Sequence, residues 1–450
     1  MFRRVYFEVP KQPRIGAPSA RSRWLSGLIL SVALSSTVAR AQDSLPWSDS
    51  RPEDLVIKLV TFGPGSDIHN YFGHNALIVE DTAQRAARLY NFGMFSFGMD
   101  MLPNYMKGKL TFWVAQTPVR ATFAHYIEMN RSVHVQELDL APEKRAALAR
   151  ELALQVLPEN RNYLYDHYTN NCSTRLRDLI DEAVDGQFHK LLSASARWDY
   201  RENTRRYASK DPLLDFALLF WMNDMMERPL KQWDELFLPG ELERSVARAR
   251  YKNADGRTVP LVASSYTVFE ARRPPVPDRP PTSWPFWMLF GCTAGALWLL
   301  TALWLKQTGN RFWRFLFGLQ HIVWGFLFGV IGTAGFLMWT FTEHLVTYRN
   351  ENQLLANPLT LLWLPLGFAI MFGSRWATAT ARWVSYGLAL SSLSLLVLKF
   401  LPAFDQDTSL TIAILLPLNL GSAFAHYALC RQPATEPRTV GSERPAESRA

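Results

Sequence analysis

Cys172 stands in the run Tyr168-Thr169-Asn170-Asn171-Cys172-Ser173-Thr174-Arg175 and is the only cysteine ahead of the apolar C-terminal third of the chain. With no second thiol in that part, no intrachain disulfide is expected there, which leaves two roles: buried filler or nucleophile. Asn171 before it and the spacing of Leu176, Leu179 and Ile180 after it predict a helix from Cys172 to Val184. A thiol in a first helical turn faces unpaired backbone N–H groups. These favour its anion, and the same donors can hold an oxyanion during acyl transfer. The position therefore predicts a thiol pKa pushed down toward a usable thiolate.

Such a nucleophile needs a base. His74 lies in Phe72-Gly73-His74-Asn75-Ala76-Leu77-Ile78-Val79, a strand by its composition, and alternation puts it on one face with Ala76 and Ile78. That small-residue face is expected to receive the Cys172 helix. Asn91, on the next strand in Tyr90-Asn91-Phe92-Gly93, is the expected third group, holding the imidazole tautomer. Each residue also has a plain reading: a lone cysteine on an amphipathic helix is usually core, a lone histidine is usually hydrogen-bonded structure, and an Asn before Phe-Gly often only ends a strand. His167, five residues before Cys172, competes as base, while His69, His125, His134 and His189 stand near no motif. Arg175 and Asp178, three apart, are expected to pair on the helix surface and orient it. Asn171 and Arg175, flanking the thiol, are candidates for substrate contact. No spacing of histidines or carboxylates suggests a metal site or a cofactor.

The elements that must position these residues follow from the patterning. Leu55–Val60, His74–Val79, Arg88–Phe92, Leu110–Val114 and Val133–Val135 are short, rich in β-branched and aromatic residues and separated by turn formers, so they read as an antiparallel sheet. Pro142–Val156 and Asp211–Met226 join Cys172–Val184 as helices. Asn253-Ala254-Asp255-Gly256 reads as a hairpin turn before Thr258–Phe269. An α+β domain over residues 42–271 is expected.

The chain has 450 residues, 48% of them hydrophobic, and they are unevenly spread. Six basic residues precede the apolar stretch Trp24–Val38, which runs into Ala39-Arg40-Ala41; residues 1–41 read as a signal peptide cleaved after Ala41. The net charge of +8 is concentrated in that leader and beside apolar segments, with no basic stripe interleaved with aromatics, so nucleic acid is not an expected partner. Residues 272–283 form a proline-rich linker. Beyond it lie five apolar segments, Trp284–Leu305, Leu319–Phe341, Leu359–Gly373, Trp383–Leu401 and Leu410–Leu429, the third short and holding Pro365. They make an all-α membrane domain over 284–430, with 431–450 a disordered tail. Lys306, Arg311, Arg314, Arg375, Arg382, Arg431 and Arg438 all fall on one side of it, so the linker and the α+β domain are expected outside the cytoplasm. Lys399, the clearest charge in a span, lies near an end where it can snorkel.

The order of His before Cys, with Asn immediately ahead of a helix-heading Cys, resembles the circularly permuted papain-like proteins that include lecithin:retinol acyltransferase. The closer resemblance is to the bacterial Lnb family. Its motifs match Phe72-Gly73-His74, Tyr90-Asn91-Phe92-Gly93 and Asn171-Cys172-Ser173-Thr174-Arg175-Leu176-Arg177-Asp178, followed by the apolar spans. The loop from Glu343-His344 through Asn352 to Asn357-Pro358 is similar to that family's second outward loop, which makes His344 and Asn352 candidates for substrate contact and Asn357 a candidate cap for the third span. The resemblance implies a permuted papain-like periplasmic domain on a five-helix membrane domain in the bacterial inner membrane. It implies a lipoprotein N-acyltransferase with Cys172 as nucleophile and His74 as base, a membrane phospholipid or diacylglyceryl lipid as donor, and a lipoprotein as acceptor. Asn91 rests on strand adjacency alone. Competing expectations are a cysteine peptidase or amidase acting on peptidoglycan, and a noncatalytic membrane assembly protein.

Overall fold

The structure, a computed structural model, describes residues 45–95, 108 and 110–430. The expected leader, residues 42–44 and the tail 431–450 lie outside the described residues. Strands β1 (Leu55–Phe62), β2 (His74–Asp81), β3 (Ala86–Met94), β4 (Thr111–Thr117), β5 (Val133–Leu138), β6 (Asn162–Leu164) and β9 (Val262–Phe269) form one antiparallel sheet in the order β6-β4-β3-β2-β1-β5-β9. The hairpin read at Asn253–Gly256 joins β7 (Arg250–Lys252) to β8 (Thr258–Pro260).

Period-two alternation gives the sheet two apolar faces. Leu55, Ile57, Leu59, Leu77, Val79, Tyr90 and Phe92 line one face. Against it pack α2 (Pro142–Gln155), α3 (Cys172–Ala183) and α8 (Pro239–Arg248), through Leu152, Leu176, Ile180, Leu242 and Val246. The opposite face carries Val60, Phe62, Ala76, Ile78 and Leu89 under α1 (Val119–Glu128), which brings Phe123, Tyr126 and Ile127. The Cys172 helix is therefore on the Leu77 and Val79 side, not on the Ala76 and Ile78 side expected from sequence. The larger aliphatic residues outweigh the small ones in apolar area, and the longer amphipathic helices take that face.

Short helices α4 (Gln187–Leu191), α5 (Tyr200–Ala208), α6 (Pro212–Trp221) and α7 (Gln232–Glu235) continue the domain, and the linker 272–283 has no regular structure before the first apolar helix. The apolar region is helical, as read: α9 (Trp284–Thr308), α10 (Arg311–Phe341), α13 (Arg375–Leu398) and α14 (Ser409–Cys430) are long and apolar enough to cross a membrane. The third expected span is a shorter helical stretch, Pro358–Met371, made of α11 (Pro358–Leu361) and α12 (Trp363–Met371). Four helices of spanning length thus stand where five spans were expected. Before the third stretch the chain is sunk in the bundle, with Asn350, Glu351, Asn352 and Gln353 all buried. Helices α9 and α14 meet at glycines: a Cβ on Gly421 would lie 2.3 Å from the Gly295 Cα.

One element of the α+β region sits among the apolar helices. Phe216, Leu219 and Phe220 of α6 pack with Trp287 and Phe328, and Trp221 Nε1 donates to the Ile331 carbonyl at 3.2 Å. Asn223 Nδ2 donates to the carbonyls of Leu345 and Tyr348, each at 2.9 Å, and Asn350 Nδ2 to that of Phe220 at 2.8 Å. Lys399 does not snorkel freely. It pairs with the buried Glu351 at 2.5 Å.

Candidate active site

The head of α3 is fixed by Asn171. Its Oδ1 accepts from the backbone N–H of Ser173 at 2.8 Å and of Thr174 at 2.9 Å, while Thr174 Oγ1 accepts from the Asn171 N–H at 2.8 Å, a closed capping box. Its Nδ2 donates to the His167 and Phe237 carbonyls at 2.7 and 2.9 Å. Both side-chain polar atoms of Asn171 are bonded to backbone groups, so it positions the helix. Ser173 Oγ adds a bond to the Leu236 carbonyl at 2.7 Å.

Cys172, 9% exposed, is held where this cap puts it. The backbone N–H groups of Asn75, of Ser173 and of its own residue, together with the positive charge of Arg131, favour its anion. Burial outweighs all of these and pushes the thiol up from 9.0. The helix N-terminus lends its donors as expected, yet the net shift is opposite to the sequence expectation, because the surroundings are apolar and closed.

His74 opens β2 just after Gly73, whose φ of +87° lies in the left-handed region that glycine tolerates. Pairing of Ala76 with Asn91 aligns β2 and β3 so that Asn91 Oδ1 lies 2.6 Å from His74 Nε2. With the amide oxygen as acceptor, Nε2 carries the ring proton and Nδ1 keeps a free lone pair. The ring stacks on Phe62 and Tyr126 at centroid distances of 6.1 and 6.3 Å. Burial lowers its pKa to about 4, against the bond from Asn91 and with the help of Arg131. The imidazole is therefore neutral near pH 7.

The two faces meet at the end of β2. His74 and Asn91 belong to the α1 side and Cys172 to the α3 side, but one of the N–H groups that favour the thiolate belongs to Asn75, the residue after His74. No hydrogen bond joins the thiol to the imidazole in this geometry. Gly93, with φ +87°, lies beside the thiol: a Cβ there would be in van der Waals contact, 3.8 Å from that of Cys172.

The other sequence candidates fall elsewhere. Arg175 Nε donates to Asn170 Oδ1 at 2.9 Å and its guanidinium lies 4.1 Å over the Tyr163 ring. Asp178 pairs with Arg177 at 2.8 Å, not with Arg175. His167 is half-buried on the edge of Phe72 at 4.4 Å, its pKa lowered to about 4 by desolvation, with Tyr165 Oη 3.5 Å from its Nδ1. His344 Nδ1 lies 2.7 Å from Thr342 Oγ1, and Gly108 of the α+β region packs on the neighbouring Glu343. Asn352 is fully buried, its Nδ2 donating to the Phe220 carbonyl at 3.0 Å and its Oδ1 accepting from Thr411 Oγ1 at 2.5 Å, so it ties α6 to α14 and is closed to substrate. Asn357 caps α11 as read, accepting from the Leu359 N–H at 3.0 Å.

Arg131 is the charged neighbour that sequence reasoning missed. It is 1% exposed, donates to the Gly63 carbonyl at 2.7 Å and to Asn70 Oδ1 at 2.8 Å, and lies 4.6 Å over Tyr126. Nothing in Asn130-Arg131-Ser132 marks it, because its partners are a distant carbonyl and a distant side chain.

The arrangement is an α+β domain with a buried helix-heading thiol and a His–Asn pair, fastened to a bundle of apolar helices: a multi-pass membrane protein with a candidate thiol site. Residues 42–206 match the family model for the Lnb N-terminal periplasmic domain, which supports an Lnb family protein. The match ends in α5, ahead of the bundle. No curated protein and no solved structure matches the chain.

Proposed function

We propose that the protein is a lipoprotein N-acyltransferase, moving a fatty acyl chain from a membrane glycerolipid through a Cys172 thioester to the α-amine of a lipoprotein's N-terminal cysteine. The observation that carries this reading is the 2.6 Å His74–Asn91 bond one residue from Asn75, whose N–H favours the Cys172 thiolate. The match of residues 42–206 to the Lnb N-terminal periplasmic domain and the seating of α6 in the bundle support it, since both substrates are lipid-anchored.

With thiol and imidazole both neutral, deprotonation accompanies attack. The sulfur bonds to the ester carbonyl carbon as His74 Nδ1 takes the thiol proton, and the N–H groups of Cys172 and Asn75 receive the oxyanion. The C–O bond then breaks, and His74 returns the proton to the leaving alcohol oxygen. Next the amine nitrogen attacks the thioester. Its proton passes by way of His74 to the departing sulfur, restoring the thiol and leaving an amide. The amine has a pKa of about 8, so an appreciable fraction is already nucleophilic near pH 7. Asn91 keeps Nδ1 directed at the reaction by holding Nε2–H.

Mass spectrometry of lipoprotein N-terminal peptides from cells carrying the wild type or Cys172→Ala tests this. The expected result is loss of the amide-linked acyl chain in the variant at unchanged protein level. Retained acylation would refute the nucleophile, and altered muropeptides with intact lipoproteins would point to amidase chemistry.

A further inference from the structure

At the end of the bundle opposite the α+β domain, α10, α12, α13 and α14 enclose a cavity of about 340 Å³ into which Arg314, Arg375 and Arg382 converge. Arginines at this end are the ordinary signature of membrane orientation. Their convergence on one cavity is not. Among the described residues no carboxylate lines it and none pairs with the three guanidinium groups. The Nε of Arg382 is buried without a hydrogen-bond partner, and its Nη1 reaches only the weak acceptor Cys430 Sγ at 3.2 Å. Gly373, at φ +86°, lets Arg314 Nη1 come within 3.0 Å of where a Cβ would stand. The first turn of α13, capped by Ser374, adds its N–H groups to the same space.

We infer that this cavity binds a phosphate group carrying net negative charge, as in the headgroup of an anionic phospholipid. Arginine forks suit phosphate geometry, and unpaired cations gathered in a cavity are stabilised by an anion. The other half of the lining favours a lipid over free phosphate. Leu305, Phe317 and Ile370 continue from the arginines into the apolar bundle, and the exposed Trp376 and Trp383 place the cavity at the depth where aromatic side chains meet headgroups. The site is remote from the thiol, so its failure would leave the acyl chemistry untouched.

The test uses the full-length detergent-solubilised protein, with melting temperature and native mass spectrometry read against phosphatidylglycerol, phosphatidylcholine and inorganic phosphate. Phosphatidylglycerol is expected to raise the melting temperature and stay bound where phosphatidylcholine does not. In the Arg314→Gln/Arg375→Gln/Arg382→Gln variant its apparent affinity is expected to fall by about tenfold or more. Should that variant not fold, Arg314→Gln and Arg375→Gln singly are each expected to show a smaller loss. Inorganic phosphate that stabilises equally and displaces the lipid would support the anion site but assign it to soluble phosphate. Equal responses to both lipids, or a variant that responds like the wild type, would overturn it.

Discussion

At the scale of single residues, burial decides the charge states. Cys172 keeps its proton and His74 lacks one near neutral pH, for the same reason: both sit where charge is poorly solvated. This has a consequence for stability. His74 and His167, both lowered by burial from 6.5 to about 4, take up protons more readily in the unfolded chain, so stability falls as pH drops from about 6.5 toward 4 and is unaffected by them above that window. His134 acts with the opposite sign. Bonded to Glu243 at 2.8 Å and Glu270 at 3.0 Å, it is raised to about 9, so its contribution is complete below about 6.5 and disappears as pH rises through 9. Thermal melts across pH are expected to peak near 6.5, with His167→Phe flattening the acid limb; an acid limb unchanged in that variant would contradict the assignment.

At the scale of elements, the thiol is only as well placed as the turn that precedes it. Asn171→Ala removes two accepted and two donated bonds at the head of α3, and a lost cap of this kind costs about 1 to 2 kcal/mol. Denaturant melts of the variant are expected to show a loss of that size. An unchanged midpoint would mean that the cap does not hold the helix. The strand and helix carrying His74, Asn91 and Cys172 were legible from sequence because alternation, a capping residue and helical spacing are local signals. Which face the helix takes was not, since it depends on the summed apolar area of several strands. Helix α1 was missed for a related reason: it has no side-chain N-cap, and its Phe123, Tyr126 and Ile127 make sense only as a cover for the face that holds Phe62 and His74. The sequence shows the polar side chains of Asn171 and Asn352 but not the buried carbonyl, N–H and hydroxyl groups that bond to them.

At the scale of the whole molecule, α6 joins the parts. Its apolar face packs among the bundle helices, and its C-terminal carbonyls are held by Asn350 and Asn352 from a sunken loop. A segment of ordinary hydropathic length carries no sign that its partner lies beyond a proline-rich linker. The same loop explains why Pro358–Met371 is shorter than its neighbours: buried polar residues, bonded to α6 and Gln406, precede it in place of further apolar turns. In the proposed mechanism Cys172 carries the acyl group between donor and acceptor. Incubation of the purified protein with phospholipid and no acceptor, followed by peptide mapping, tests it most directly. One fatty acyl group is expected on the Cys172 peptide, released by neutral hydroxylamine and absent in His74→Ala. An acyl group found on another residue, or an unmodified Cys172 in protein that acylates lipoproteins, would contradict it.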